Sequence, residues 1–154
     1  METEIVIRPA RLAERQQLEA LQFRASIENP GDRDSILTHP DAIELAVEQI
    51  AEGRVFVAEV AGSIEGFAAI FLRPDGDTEL DGLFVEPTAW RRGIGRRLVQ
   101  HCVRIARDQG SMSLHVVGNP HAEAFYAACG FEITGTTDTR FGQGLLMRRL
   151  LSGV

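Results

Sequence analysis

Hydrophobic and polar positions along the chain recur with two different spacings. Short apolar or alternating runs bounded by turn residues predict seven strands: Glu4–Arg8, Val55–Val60, Ile64–Leu72, Thr78–Val85, Met112–Val117, Phe131–Thr137 and Gly144–Leu151. Apolar residues at helical spacing predict four helices: Arg11–Ile27, Pro40–Glu52, Ile94–Gln109 and His121–Cys129. Turn residues predict a loop over residues 28–35. The resulting order, β-α-α-β-β-β-α-β-α-β-β, predicts an α/β fold in a single domain covering residues 1–154.

The strand that ends at Val85 runs into a turn with anion-binding character. Pro87 ends the strand because it has no N–H for the ladder, and Gly93-Ile94-Gly95 opens the following helix. Glycines allow close backbone approach, and the first-turn N–H groups of a helix have no helical partners. Arginines cluster there, at positions 91, 92, 96 and 97. The stretch therefore predicts a phosphate site, the alternative being a tight turn with solvated arginines.

Composition adds a charge asymmetry to this picture. Residues 1–90 hold 7 Arg and 18 Asp or Glu, which gives 7 − 18 = −11, and residues 91–154 hold 9 Arg and 4 acidic residues, which gives 9 − 4 = +5. Two interpretations stay open: ordinary surface solvation, or a basic half that holds an anion beside an acidic half that attracts a cation. No lysine occurs, which removes lysine as a catalytic base.

Other sequence features narrow the class of protein. An apolar content of 44% is ordinary for a globular domain, and no apolar run reaches the roughly 20 residues of a membrane span. The acidic N-terminus resembles a strand rather than a signal peptide, so the expected location is cytoplasmic. Cys102 and Cys129 fall on apolar helix faces and predict two buried free thiols. No histidine or cysteine spacing indicates a metal site.

A second motif follows the fifth predicted strand. Residues 119–126 are Asn-Pro-His-Ala-Glu-Ala-Phe-Tyr, and Gly130-Phe131 comes after them. This run resembles the Asn-x-x-Ala-x-x-Phe-Tyr and Gly-Phe signature of the GNAT family of N-acetyltransferases, and the glycine turn resembles that family's acetyl-CoA loop. The resemblance covers nearly the whole chain. It implies an acyl-CoA N-acyltransferase-type fold, with a central mixed, mostly antiparallel sheet flanked by helices on both faces. Trp90 departs from the family pattern, which usually has Gln or Arg at that position.

The resemblance also implies which residues hold the acyl donor, acetyl-CoA. Backbone amides of the turn would bind the pyrophosphate, namely those of Arg91, Arg92, Gly93, Ile94, Gly95 and Arg96. Leu83, Phe84 and Val85 would pair through their backbone with the pantetheine arm, and a bulge at Gly82 would open the room for it. Asn119 would bond the same arm, and its alternative is a turn residue or helix cap.

Tyrosine, carboxylate and histidine side chains are the candidates for the proton transfers of this reaction. Tyr126 falls on the family's tyrosine position, so it is predicted both to contact the donor and to act as general acid for the departing thiolate; its alternative is a core aromatic. Glu79 and Asp81 are the candidate general bases, and a solvated strand start is the alternative for each. His115 is a further candidate for this role, with an inward structural histidine as its alternative.

The predicted function is transfer of an acetyl group from acetyl-CoA to a primary amine by direct attack in a ternary complex. The acceptor is a small-molecule or peptide amine, and the acidic residues 28–52 favour a cationic one. No nucleic-acid or membrane partner is expected, and neither is a metal, whereas a homodimer and the exact acyl group are left open. The alternatives are a non-catalytic acyl-CoA-binding sensor or interaction module, and a nucleic-acid binder that uses the arginine patch.

Overall fold

The computed structural model describes residues 4–29 and 31–151. The strands are β1 (Ile5–Pro9), β2 (Val55–Val60), β3 (Ser63–Leu72), β4 (Thr78–Val85), β5 (Ser113–Gly118), β6 (Glu132–Thr139) and β7 (Gly142–Leu150). They form one sheet in the order β1-β2-β3-β4-β5-β7-β6, in which β4 and β5 are parallel and every other neighbouring pair is antiparallel. The predicted mixed, mostly antiparallel sheet is confirmed.

Helices lie on both faces of this sheet, and residues 4–29 and 31–151 contain five of them. They are α1 (Arg15–Glu28), α2 (Arg33–Thr38), α3 (Val47–Ala51), α4 (Ile94–Asp108) and α5 (Glu123–Ala128). Buried residues of α4 and α5 pack with Leu80 and Val116 on one face. Leu18 and Leu21 of α1 and Ile50 of α3 pack on the other. No helix within residues 4–29 and 31–151 is long and apolar enough to span a bilayer.

Helix α4 is the best predicted element because its apolar stripe matches its buried face. Leu98, Val99 and Cys102 are completely buried, and each such aliphatic side chain contributes about 1.5–3 kcal/mol relative to exposure. Cys102 and Cys129 are both buried and free, as predicted. Burial raises the pKa of the Cys102 thiol to about 12, so this sulfur is an inert part of the core.

Strands β4 and β5 separate after a short parallel ladder. They pair from Thr78 with Leu114 to Leu80 with Val116 and no further. On the other side of β4, Ile70 pairs with Leu80 but Ala69 pairs with Gly82, so Asp81 is an extra residue in β4. This confirms the bulge predicted at Gly82. Because a bulge bends its strand, the end of β4 turns away from β5 and leaves a wedge-shaped opening.

Two predictions before β2 are wrong. The helix predicted over Pro40–Glu52 is a 3-10 turn (Pro40–Ala42), an irregular stretch and the short α3. Contacts with α1 explain the break, because Leu45 N donates to Glu19 Oε2 at 2.9 Å and Leu45 O accepts from Arg15 Nε at 2.6 Å. Those tertiary bonds replace the helical ones of Leu45.

The loop predicted over residues 28–35 contains the start of α2. Helix α2 is short, and no side chain caps its first turn, so little in the sequence indicates a helix there. Ile36 is buried and anchors α2. Of the predicted single domain, residues 1–3, 30 and 152–154 lie outside the described residues.

Candidate functional site

A cavity of about 750 Å³ fills the wedge between the ends of β4 and β5. The start of α4, the α1–α2 connection and the β6–β7 hairpin also line it. Its lining includes these predicted site residues: Asp81, Leu83, Phe84, Val85, Arg91, Gly93, Ile94, Gly95, Arg96, Asn119 and Tyr126. The structure therefore brings both sequence motifs to one cavity, with Arg92 exposed in the same turn.

The turn before α4 has the backbone shape of an anion cradle. Gly93 (φ 81°) and Arg91 (φ 67°) both adopt left-handed conformations on either side of Arg92. Alternating conformations of this kind point successive N–H groups into one concavity. No side chain caps the first turn of α4, so the amides there are free of a side-chain partner. Holding a non-glycine residue left-handed costs roughly 1–2 kcal/mol, which the turn tolerates at Arg91.

Gly95 brings the two motifs into direct contact. A Cβ at this position would lie 3.1 Å from Cζ of Phe125, so the ring packs onto the backbone of the first turn of α4. Phe125 also meets Tyr126 edge to face at 5.2 Å between ring centroids. A glycine here therefore serves helix packing as well as backbone access.

Trp90 braces the turn from its other side. Its Nε1 donates to the carbonyl oxygen of Val85 at 2.7 Å, so the turn closes back onto the end of β4. Next to Val85, Glu86 accepts a hydrogen bond of 2.9 Å from Nε of Arg24 in α1. These contacts fix the end of β4 relative to α1 and α4. The departure from the family pattern at Trp90 thus supplies a structural contact.

Tyr126 lines the cavity and is largely buried. The side chain is 8% exposed, and its ring packs against Phe131 at 5.5 Å between centroids. Burial, followed by the neighbouring thiols, raises the pKa of the Tyr126 hydroxyl, which keeps it protonated at neutral pH. Within the described part of the chain the hydroxyl has no hydrogen-bond partner, so it is available to a ligand.

Asn119 is held by two hydrogen bonds. Its Oδ1 accepts from His121 N at 2.9 Å, which caps the 3-10 turn Pro120–Ala122 and confirms the helix-cap alternative. Its Nδ2 donates to Oδ1 of Asp32 in the α1–α2 connection at 2.7 Å. An amide nitrogen carries two hydrogens, so one donor remains for the predicted contact with the acyl donor.

The candidate bases lie in different surroundings. Asp81, the extra residue of the bulge, is exposed and lines the cavity. Glu79 is half-buried outside the cavity lining, and its Oε1 lies 3.8 Å from Nη1 of Arg73. Burial raises the pKa of Glu79, an effect that the Arg73 charge opposes. His115 also lies outside the lining, with Nε2 at 2.8 Å from Oδ2 of Asp77.

Several residues that line the cavity could not be identified as site residues from the sequence. Asp32 lies in the predicted loop, and Phe141 and Gln143 lie in the β6–β7 hairpin. The tertiary fold alone brings them there.

A second cavity of about 300 Å³ adjoins the start of α4, where Arg96 lines both cavities and Arg149 lines the smaller one. The predicted arginine cluster thus extends to a residue of β7 that the local motif did not indicate.

The sheet order, the opening between β4 and β5 and the helix that starts beside it define the acyl-CoA N-acyltransferase-type fold. The model of the Acetyltransferase (GNAT) family matches residues 17–131, and the chain belongs to this family. This confirms the resemblance found from the two motifs.

Relatives and solved structures extend the match. A peptidyl-lysine N-acetyltransferase of Salmonella typhimurium is 29% identical over 134 residues, which are 87% of this chain and 88% of that protein. An uncharacterized N-acetyltransferase of Mycobacterium bovis is 31% identical over 91 residues, 57% of this chain, and the match spans 58% of that relative's length. The PaiA N-acetyltransferase of Thermoplasma acidophilum, solved in complex with coenzyme A, superposes with a TM-score of 0.76 at 17% identity, covering 96% of this chain and 99% of that one.

Proposed function

We propose that this protein transfers an acetyl group from acetyl-CoA to a primary amine by direct attack in a ternary complex. One observation carries the proposal: a single cavity joins a cradle of free backbone amides to Tyr126 and Asp81 through the opening between β4 and β5. Relatives that are N-acetyltransferases by name support the reaction, and the coenzyme A complex of a protein with the same fold supports the donor.

The part of the cavity lined by residues 83–96 is the proposed donor end, and it suits a long ligand with phosphates at one extremity. Amides of residues 91–96 would hold the pyrophosphate, and Arg96 lies beside them. Each such helix-terminus interaction is worth about 0.3–1 kcal/mol when exposed and up to ~2 kcal/mol when partly buried. Residues 83–85 of β4 pair with β3 but have no β5 partner. Apart from the Val85 carbonyl, which accepts from Trp90, the edge that faces the opening could therefore pair with the pantetheine arm as an added strand does. Gly95 has no Cβ, which lets the Phe125 ring pack against the first turn of α4 beside the cradle.

The chemistry requires two proton transfers. An amine with a pKa of about 10.4 must lose a proton before attack, which costs about 4.6 kcal/mol at pH 7. Asp81 is better placed than Glu79 to receive that proton, because Asp81 lines the cavity and Glu79 does not. Backbone amides near Val85 would polarise the thioester carbonyl as the amine nitrogen forms its bond to carbon. When the carbon–sulfur bond breaks, Tyr126 would protonate the departing thiolate.

The acceptor would enter from the end opposite the cradle. Asp32 and Asp81 are the carboxylates of the cavity lining, whereas its arginines, Arg91 and Arg96, belong to the proposed cradle. This separation within one cavity agrees with the charge asymmetry of the sequence. It favours a cationic amine, either a small molecule or a side chain of a peptide.

Thiol release from acetyl-CoA against a panel of amines tests the proposal. The expected result is turnover that depends on both acetyl-CoA and an amine, with the acetylated amine found by mass spectrometry. Acetyl-CoA binding with no turnover on any amine would instead support a non-catalytic acyl-CoA sensor. Binding of DNA or RNA that falls steeply with salt would point to the arginine patch as a nucleic-acid surface.

A further inference from the structure

Asp32 differs from Asp81 in that a side chain from another element holds its carboxylate in place. Asn119 Nδ2 donates to Asp32 Oδ1 at 2.7 Å. Asn119 cannot rotate freely, because its Oδ1 accepts from His121 N at 2.9 Å. The carboxylate therefore has a fixed position in the cavity wall.

Gly31, the residue before Asp32, lets the α1–α2 connection pack closely against the turn that follows β5. A Cβ on Gly31 would lie 2.4 Å from Cδ2 of His121 and 2.6 Å from Nδ2 of Asn119, so a glycine is required at this contact. The contact is also close to the proposed reaction centre. A Cβ on Gly118, the neighbour of Asn119, would lie 3.5 Å from the ring of Tyr126.

Asp32 retains capacity to bind a cation. Its neighbour Arg33 points elsewhere, because Nη1 of Arg33 donates to the carbonyl oxygen of Ile27 at 3.0 Å. Across the described ranges, no arginine or histidine lies within ion-pair distance of Asp32, whereas Asp41, Asp75 and Asp77 all have such partners. A carboxylate accepts up to about four hydrogen bonds, and the contact with Asn119 uses one of them.

We propose that Asp32 binds a second positive group of the acceptor and that Asn119 positions it, so that the substrates are amines with an additional cationic group, such as diamines. The assignment rests on the proposed function, because the other amino group of the same molecule would receive the acetyl group. Asp81 and Tyr126 act at the reacting nitrogen and sulfur, and Asp32 sets which amines are held there. Asp32 is thus a specificity-determining residue and Asn119 a positioning residue.

Calorimetric titration of the coenzyme A-saturated protein with 1,4-diaminobutane and with butylamine tests this assignment. The two probes have the same carbon chain and differ in the second amino group. The wild type is expected to prefer the diamine, and Asp32→Asn is expected to weaken diamine binding about tenfold while butylamine and coenzyme A binding stay within about twofold. Asp34→Asn, which removes the same charge from an exposed position on α2, is the matched control and should change neither. Asn119→Ala should reduce the ratio of diamine to butylamine affinity even if it also weakens coenzyme A binding.

Three results would overturn the assignment: no preference for the diamine in the wild type, equal losses for both amines in Asp32→Asn, or equal effects of Asp32→Asn and Asp34→Asn. A thiol-release assay on the same samples separates this assignment from the proposed function. An Asp32-dependent preference without thiol release refutes acetyl transfer and retains the cation site. Thiol release without that preference refutes the cation site and retains acetyl transfer.

Discussion

The parts of the cavity proposed for the donor and for the acceptor are built in different ways. Apart from Asn119 and Tyr126, the residues proposed to hold the donor come from one continuous stretch, residues 83–96. The main features of this stretch are backbone features: an opened strand, a left-handed turn and free amides. The acceptor end assembles segments distant in sequence through side-chain contacts. Asn119 bonds Asp32 at 2.7 Å, and Arg140 in the β6–β7 hairpin lies 3.2 Å from Asp41.

This difference predicts how each end responds to substitution. A backbone site tolerates most side-chain changes and fails when a glycine is replaced, because backbone conformation carries the binding. A side-chain site changes gradually, one contact at a time, and it can alter its ligand without loss of fold. Substitutions at the two ends should therefore separate donor affinity from acceptor selectivity.

The largest effect is expected from Gly93→Val. Valine at φ 81° would distort the cradle, and the loss of several amide contacts should raise the Kd of acetyl-CoA by about a hundredfold. Gly62→Val is the matched control, since Gly62 has φ 83° in the β2–β3 turn, outside the cavity lining, with open space around it. Calorimetry of both variants measures the difference. Equal losses in the two variants would show that strain, rather than the cradle, limits binding.

Tyr126→Phe should act at the junction of the two ends. Removal of the hydroxyl should lower kcat by about a hundredfold, the usual contribution of a general acid, while the Kd of acetyl-CoA changes by less than about twofold. Steady-state thiol release with calorimetry on the same protein gives both values. An unchanged kcat would remove the assigned role of Tyr126.

The pH profile of the wild type sharpens the same assignment. Burial raises the pKa of Tyr126, so the acid form is present at neutral pH and is lost only when pH rises through that raised value. The amine becomes reactive as pH rises toward its own pKa. kcat/KM should therefore increase with pH without a decline due to Tyr126 below about pH 10. A decline near pH 8 that disappears in Tyr126→Phe would show that the pKa of Tyr126 is lowered instead.

Trp90→Phe should produce a moderate effect confined to the donor end. The phenyl ring retains apolar contact but loses the hydrogen bond to Val85 O, which should cost about 0.5–1.5 kcal/mol of stability and weaken acetyl-CoA binding about fivefold. Thermal unfolding and calorimetry measure the two quantities. The KM of the amine should stay the same; a selective rise in that KM would place Trp90 at the acceptor end.

The smallest effect is expected from Arg140→Gln. The Arg140–Asp41 contact is exposed, and exposed ion pairs contribute little to stability, so the melting temperature should not change. The KM of the amine should rise about two- to threefold, because the hairpin loses one tether at the acceptor end. Arg104→Gln, a loss of charge on the exposed face of α4, serves as control. Altered acetyl-CoA affinity in Arg140→Gln would contradict the separation of the two ends.

The sequence predicts best those features whose residues lie close together along the chain. The apolar stripe of α4, the strand before it and the two glycines lie within one stretch, so spacing alone places them. The bulge was also predictable, because a glycine inside a strand often marks one, and Gly82 lies inside the predicted strand Thr78–Val85. The region proposed for the acceptor has no sequence pattern that predicts its structure in the same way. Leu45 leaves its helical pattern because Arg15 and Glu19 bind its backbone groups.

Long-range contacts also determine which candidate residues reach the cavity. Glu79 and Asp81 look equivalent in the sequence, but the extra residue in β4 leaves Asp81 in the lining and Glu79 outside it. Asp32 lies in a stretch of acidic residues and gains its distinction from Asn119, 87 positions further along the chain. Spacing rules do not extend to such pairs.

Trp90 gives the protein an optical reporter of its own. It is the single tryptophan of the sequence, it lines the cavity at the proposed donor end, and it is 42% exposed. Its fluorescence emission therefore originates from one known place beside the cradle. A ligand that enters there would change the polarity around the indole, so titration by emission can follow donor binding without a label in every variant that keeps Trp90.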